Sequence, residues 1–241
     1  MKTARSHHSR PLTENPTVAR ENRLGVRGWQ ALGLAFGLTL SVSCHADGAA
    51  IATTGAGAAP ACQTCHGPAG EGIAQAGFPR LAGLGAAYMQ RQLDAFADGT
   101  RVNAVMMPIA QALSDTDRAA VSAYYAALPE PPGPTTPKTA STSGPEAAAV
   151  GATLATRGRW ADTLPACENC HGPGGRGVGP DFPLLAGQSA AYLAGQLTAW
   201  KAGTRPPGPM GLMTVVARKL SDDEVRAIAD YYAELPARGS R

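Results

Sequence analysis

Aromatic side chains are scarce in this 241-residue sequence: four Phe, three Trp and six Tyr make 5% of a chain that is 44% hydrophobic. Rings normally dominate the buried area of a core, so so few of them leave room for a large flat apolar body that is not an amino acid. Histidine is scarcer still, and beyond residue 46 only His66 and His171 remain. Charge of one sign is missing too. A formal net charge of +3 offers no strongly basic face, which excludes nucleic acid as a partner. No sustained period-2 alternation and no βαβ pattern is present, which argues against a sheet protein. The chain also lacks a nucleophile–base pair of the kind hydrolases need. What it has in quantity is Gly (29) and Pro (20), which predicts short helices joined by many turns.

Against that background one signature stands out, because it occurs twice. Cys62, Cys65 and His66 form Cys-x-x-Cys-His, and Cys167, Cys170 and His171 form it again. Two thiols one helical turn apart, followed at once by an imidazole, is the pattern of c-type haem attachment: the thiols add to the two vinyl groups and the imidazole ligates the iron. A thioredoxin-like pair would need a βαβ context, and a zinc site would need four nitrogen or sulfur ligands from a short region. Each motif supplies only three. The cofactors expected are two covalently attached haem c groups, which would also provide the missing flat apolar bodies.

The N-terminal region reads as an export leader over residues 1–46. Lys2, Arg5, Arg10, Arg20, Arg23 and Arg27 precede an apolar run from Trp29 to Ser43, and small residues flank Ala46. That run is shorter than the ~20 residues a membrane span requires, so cleavage near Asp47 and a periplasmic location are expected. No adjacent Arg pair is present, which favours general secretion over the twin-arginine route. Cys44 leaves with the leader on this reading. Residues 47–130 then carry four basic and seven acidic residues, and residues 151–241 ten basic and eight acidic. Such a dipolar molecule suits oriented docking to a protein partner.

The two signatures belong to a tandem duplication. Phe78-Pro-Arg-Leu-Ala-Gly83 answers Phe182-Pro-Leu-Leu-Ala-Gly187, Tyr88 and Gln92 answer Tyr192 and Gln196, and Gly99-Thr-Arg101 answers Gly203-Thr-Arg205. Leu113-Ser-Asp115 and Tyr124-Tyr125 likewise answer Leu220-Ser-Asp222 and Tyr231-Tyr232. The boundaries implied are a first domain over 47–130, a Pro- and Thr-rich linker over 131–147 and a second domain over 148–241. Both domains read as all-α. Ser114 with Asp117, and Ser221 with Glu224, are capping boxes, followed by apolar faces at Val121, Tyr124, Tyr125 and Leu128 and at Val225, Ile228, Tyr232 and Leu235. A further helix is expected over 86–97 and over 190–201.

What stands opposite each histidine decides between electron transfer and substrate chemistry. Beyond the leader the sequence holds no spare His for a bis-His site. Among the methionines, Met89 pairs with Leu193 in the repeat, Met107 with Thr214 and Met210 with Asn103, whereas Met106 and Met213 correspond to each other. Each lies eight residues before the Ser that opens the last helix of its copy. Met106 and Met213 are therefore the expected sixth ligands, with Met107 an adjacent rival in the first domain. The carbonyls of Pro79 and Pro183 are the expected acceptors for the ring N–H that a ligating His donates away from its metal.

In these residues the chain resembles the cytochrome c4 family, dihaem c-type cytochromes of the bacterial periplasm. The motifs that carry the likeness are Cys-x-x-Cys-His-Gly, Phe-Pro-x-Leu-Ala-Gly, Ala-Tyr-x-x-x-Gln-Leu and Met-x-x-x-Ala-x-x-Leu-Ser, the last fitted by Met106 rather than Met107. The resemblance implies two class I cytochrome c folds with facing haem edges. It also implies an electron carrier, not an enzyme, working between the cytochrome bc1 complex and a terminal oxidase, with peripheral association with inner-membrane complexes. A dihaem subunit of a periplasmic dehydrogenase, such as flavocytochrome sulfide dehydrogenase, is the alternative. A catalytic dihaem cytochrome would need an open or unusual iron site. The segment 51–60 departs from the family in lacking a charged opening helix, and the linker in its Pro and Thr content.

Overall fold

The computed structural model describes residues 46–130 and 144–236. The leader reading, with Cys44, and residues 131–143 of the linker reading lie outside them. The first repeat contains α1 (Gly48–Thr54), α2 (Gln63–His66), α3 (Ala86–Ala97), α4 (Met106–Gln111) and α5 (Asp115–Ala127). The second contains α6 (Gly144–Thr156), α7 (Glu168–His171), α8 (Ala190–Ala202), α9 (Leu212–Arg218) and α10 (Asp222–Glu234). Among the described residues the only β pairing is four isolated bridges. The fold is all-α, in the order the duplication predicts.

Local chemistry explains the boundaries. Ser114 accepts from the Asp117 N–H while the Asp117 carboxylate accepts from the Ser114 N–H, and Ser221 with Glu224 repeats the arrangement. Each box satisfies two N–H groups that a helix start leaves without a carbonyl. Behind the boxes, Val121 and Tyr125 are buried on α5, and Val225, Ile228 and Tyr232 on α10. Tyr124 and Leu128 are half-buried.

An opening helix exists in both repeats despite the uncharged sequence near Ile51. Asp47 caps α1 by accepting from the Ala49 N–H at 2.9 Å, and Ile51 and Ala52 are buried. The first and last helices of each repeat then cross at a glycine. A Cβ at Gly48 would lie 2.3 Å from the Ala120 carbonyl oxygen, and one at Gly151 2.2 Å from that of Ala227. Only a residue without a side chain permits so close an approach.

The two repeats pack into one compact unit. Leu184 and Ala186 of the second join the core cluster of the first. Polar contacts complete the join: Arg91 pairs with Asp181 at 3.0 Å, and the Gln188 side chain accepts from the Arg80 N–H at 2.9 Å and donates to the Arg80 carbonyl at 3.0 Å. No helix among the described residues is long and apolar enough to cross a membrane.

Candidate haem sites

Each signature opens on its own cavity. The first, about 360 Å³, is lined by Cys62, Cys65 and His66 together with Met106 and Ile109 of α4. The second, about 490 Å³, is lined by Cys167, Cys170 and His171 together with Met213 and Val216 of α9. Met107 is not among the residues lining the first cavity, while Met210 joins Met213 in lining the second. Met89 is buried in the first core, in keeping with its pairing to Leu193.

The short helices α2 and α7 explain why the motif works as a unit. One turn places both thiols and the imidazole along one edge, since residues three apart share a face. None of the four cysteines is in a disulfide. Burial raises the Cys62 thiol above its usual pKa and pushes that of Cys167 up to about 11. Before attachment to a porphyrin both side chains are therefore neutral thiols.

The histidines are oriented as the spacing predicts. His66 Nδ1 lies 2.8 Å from the Pro79 carbonyl oxygen, and His171 Nδ1 2.9 Å from that of Pro183. With Nδ1–H donated there, the Nε2 lone pair is left for a metal. Burial lowers the pKa of both imidazoles, against the opposing effect of the carbonyls, and so favours the neutral form a ligand must have. The prolines themselves are held from behind. Leu81 and Ala82 donate their N–H groups to the Gly70 carbonyl, Leu185 and Ala186 to that of Gly175, while Gly83 and Gly187 donate to Tyr125 and Tyr232 on the last helices.

Between the cavities lies a polar wall that sequence reading found only as repeat echoes. Leu84, Tyr88, Gln92, Arg101, Tyr192 and Gln196 line both cavities. Arg101 donates to Gln92 of its own repeat at 2.8 Å and to Gln196 across the join at 2.7 Å. Arg205 mirrors it, donating to Gln196 at 2.8 Å and to Gln92 at 3.0 Å. Their guanidinium groups stack on Phe96 and Trp200, with centroid distances of 4.4 and 3.8 Å. The signal was available in the sequence: Tyr, Gln and Arg are kept at matching places in both copies, although a duplicated helix needs none of them for its own core.

A haem fits these residues. The lining is chiefly apolar, and it includes two thiols, a neutral imidazole and a methionine thioether in each cavity. Buried cations are also ready for the acidic edge of a porphyrin. Arg101 and Arg205 are both 7% exposed and their hydrogen bonds run to neutral amides and phenols. Arg80, only 3% exposed, buries Nε and Nη1 without a hydrogen-bond partner. Burying a cation is costly unless an anion or strong acceptor meets it.

The Cytochrome c family model matches residues 45–128 and again 148–236. The chain belongs to the cytochrome c family. It carries two haem c groups attached through the paired cysteines, in tandem domains arranged as in cytochrome c4. The thiosulfate dehydrogenase electron acceptor of Stutzerimonas stutzeri (strain A1501) is 49% identical over 209 residues, which cover 86% of this chain and 94% of that protein. Among solved structures, a thiosulfate dehydrogenase from Marichromatium purpuratum shares 44% identity with a TM-score of 0.71, over 78% of this chain but only 40% of that one. Reduced recombinant cytochrome c4 from Pseudomonas stutzeri shares 32% identity with a TM-score of 0.63, over 72% of this chain and 93% of that one. The cytochrome is thus a dihaem electron carrier, as the duplication and its resemblance imply.

Proposed function

We propose that this cytochrome is a periplasmic acceptor of electrons from a thiosulfate dehydrogenase, which it relays through two His/Met-ligated sites, His66 with Met106 and His171 with Met213, towards a terminal oxidase. The observation that carries the partner is the 49% identity to a thiosulfate dehydrogenase electron acceptor across nearly the whole of both chains. The reading replaces the bc1 complex, expected first from the family resemblance, with a dehydrogenase as donor.

When bound, the haem iron supplies a one-electron ferric–ferrous couple. The rest falls to the protein. His66 and His171 hold their tautomer through the proline carbonyls. Met106 and Met213 offer a soft thioether, which favours the ferrous state and a raised potential. With those thioethers as ligands, a bound iron would have no position open to oxygen or peroxide. The apolar linings limit water near the metal, and a shared wall keeps the path between the two sites inside the protein.

The test is to mix the oxidised holoprotein with a thiosulfate dehydrogenase and thiosulfate. Reduction of both haems at a rate that depends on dehydrogenase concentration is expected. No reduction, alongside fast reduction by a bc1 complex, would return the protein to general respiratory transfer, the reading its likeness to cytochrome c4 favours. Rapid carbon monoxide binding to the reduced form would instead defeat the His/Met assignment.

A further inference from the structure

The duplication is unequal at one place where it matters. In the loop that carries the histidine-anchoring proline, Arg80 corresponds to Leu184 and Leu84 to Gln188. These four positions meet across the join. Gln188 clamps the Arg80 main chain from both sides, while Leu84 and Leu184 share one apolar cluster. One side of the pseudo-two-fold join is therefore polar and charged, and the other is hydrocarbon.

Arg80 follows directly on Pro79, the acceptor for His66, and lines the first cavity but not the second. Nη2 is committed to the Ala186 carbonyl at 2.7 Å, whereas Nε and Nη1 are buried without a hydrogen-bond partner. Of the other cations at the join, Arg101 lines both cavities while Arg205 and Arg91 line only the second, but none of them is both buried and without a counterpart in the other copy. Arg101 and Arg205 are mirror images in one network, and Arg91 is paired with Asp181. The acidic group whose field reaches Arg80 is Glu130, which is half-exposed and hence partly screened by water.

From this asymmetry we infer that Arg80 is a tuning residue which selectively raises the reduction potential of the N-terminal haem. The physical reason is charge. Oxidising a haem adds a positive charge to it, and a guanidinium that never deprotonates disfavours that state more strongly when desolvated. Leu184 has no such effect on the C-terminal haem. The inference rests on each cavity holding a redox-active haem, as proposed above.

The experiment is a potentiometric titration of the holoprotein followed by proton NMR of the haem methyls. These are assigned through contacts to Ile109 in the first domain and Val216 in the second. In Arg80→Gln the N-terminal wave should shift downwards while the C-terminal wave stays in place. Arg80→Lys, which keeps the charge but loses the planar fork, should restore most of the shift. An unmoved N-terminal wave, equal movement of both waves, or a lysine variant that behaves like glutamine would overturn the inference. The count of attached haems, and reduction by the dehydrogenase, are measured on the same samples. They report on the proposed function independently of whether the wave moves.

Discussion

The two halves of this cytochrome agree where iron is to be held and differ where the site meets its surroundings. The anchoring distances from histidine to proline carbonyl are 2.8 and 2.9 Å, and the capping boxes and glycine crossings repeat. By contrast α1 has 7 residues and α6 has 13. The stretch from the interface arginine to the proposed methionine ligand runs from Arg101 to Met106 in one half and from Arg205 to Met213 in the other. The longer version contains Pro206, Pro207, Gly208 and Met210, with Met210 82% exposed at a φ of 58°. A non-glycine residue held there is strained. Its cavity is also larger, about 490 against 360 Å³. Ligation geometry tolerates little change, while the mouth and the join can diverge and so make the two haems inequivalent.

That comparison can be broken most drastically at the thioether bonds. Replacing Cys167 and Cys170 with Ala should leave a protein with one covalent haem, detected as the loss of one haem mass in the intact chain. If the halves are independent in cofactor capture, the matching change at Cys62 and Cys65 gives the same loss.

Next come the sixth ligands. Met106→Ala and Met213→Ala should each abolish half of the near-infrared methionine-to-ferric-iron band and create one site that binds carbon monoxide. Met107→Ala should leave the band intact. A full band in Met106→Ala would transfer the role to its neighbour.

Smaller effects test the scaffold. Gly48→Ala and Gly151→Ala place a Cβ against a helix backbone, which should destabilise each half by about 1–3 kcal/mol, read from thermal unfolding of the holoprotein. Because α6 is nearly twice as long as α1, the second half has more packing to absorb the strain, and its loss should be the lesser. The least effect is expected of Ser114→Ala and Ser221→Ala, about 1 kcal/mol each from a lost helix cap, measured by denaturant titration and equal in both halves.

Much of this was legible before any coordinates. The capping boxes, the helix over 86–97 and the roles of Pro79 and Pro183 rest on contacts within some fifteen residues, and such contacts leave a spacing in the chain. The duplication also supplied an internal control, which is why Met106 and not Met107 is the proposed ligand. The polar wall was not legible as a wall. Tyr88, Gln92 and Arg101 meet Tyr192, Gln196 and Arg205 across some ninety to a hundred and seventeen residues, and the spacing of one copy says nothing about what faces it. The opening helix was underestimated for a related reason. Its stability comes from Gly48 fitting closely against α5, not from its own charges.

The sequence by itself determined the chemistry: two haem-binding signatures, a pair of corresponding methionines and a tandem all-α plan, since these are set by residue type at short separations. Only the tertiary structure decided how the copies face each other, which arginines are buried between them and that Arg80 stands on one side alone. Those features depend on surfaces brought together by packing, and burial is what turns an ordinary surface arginine into a charge strong enough to distinguish one haem from the other.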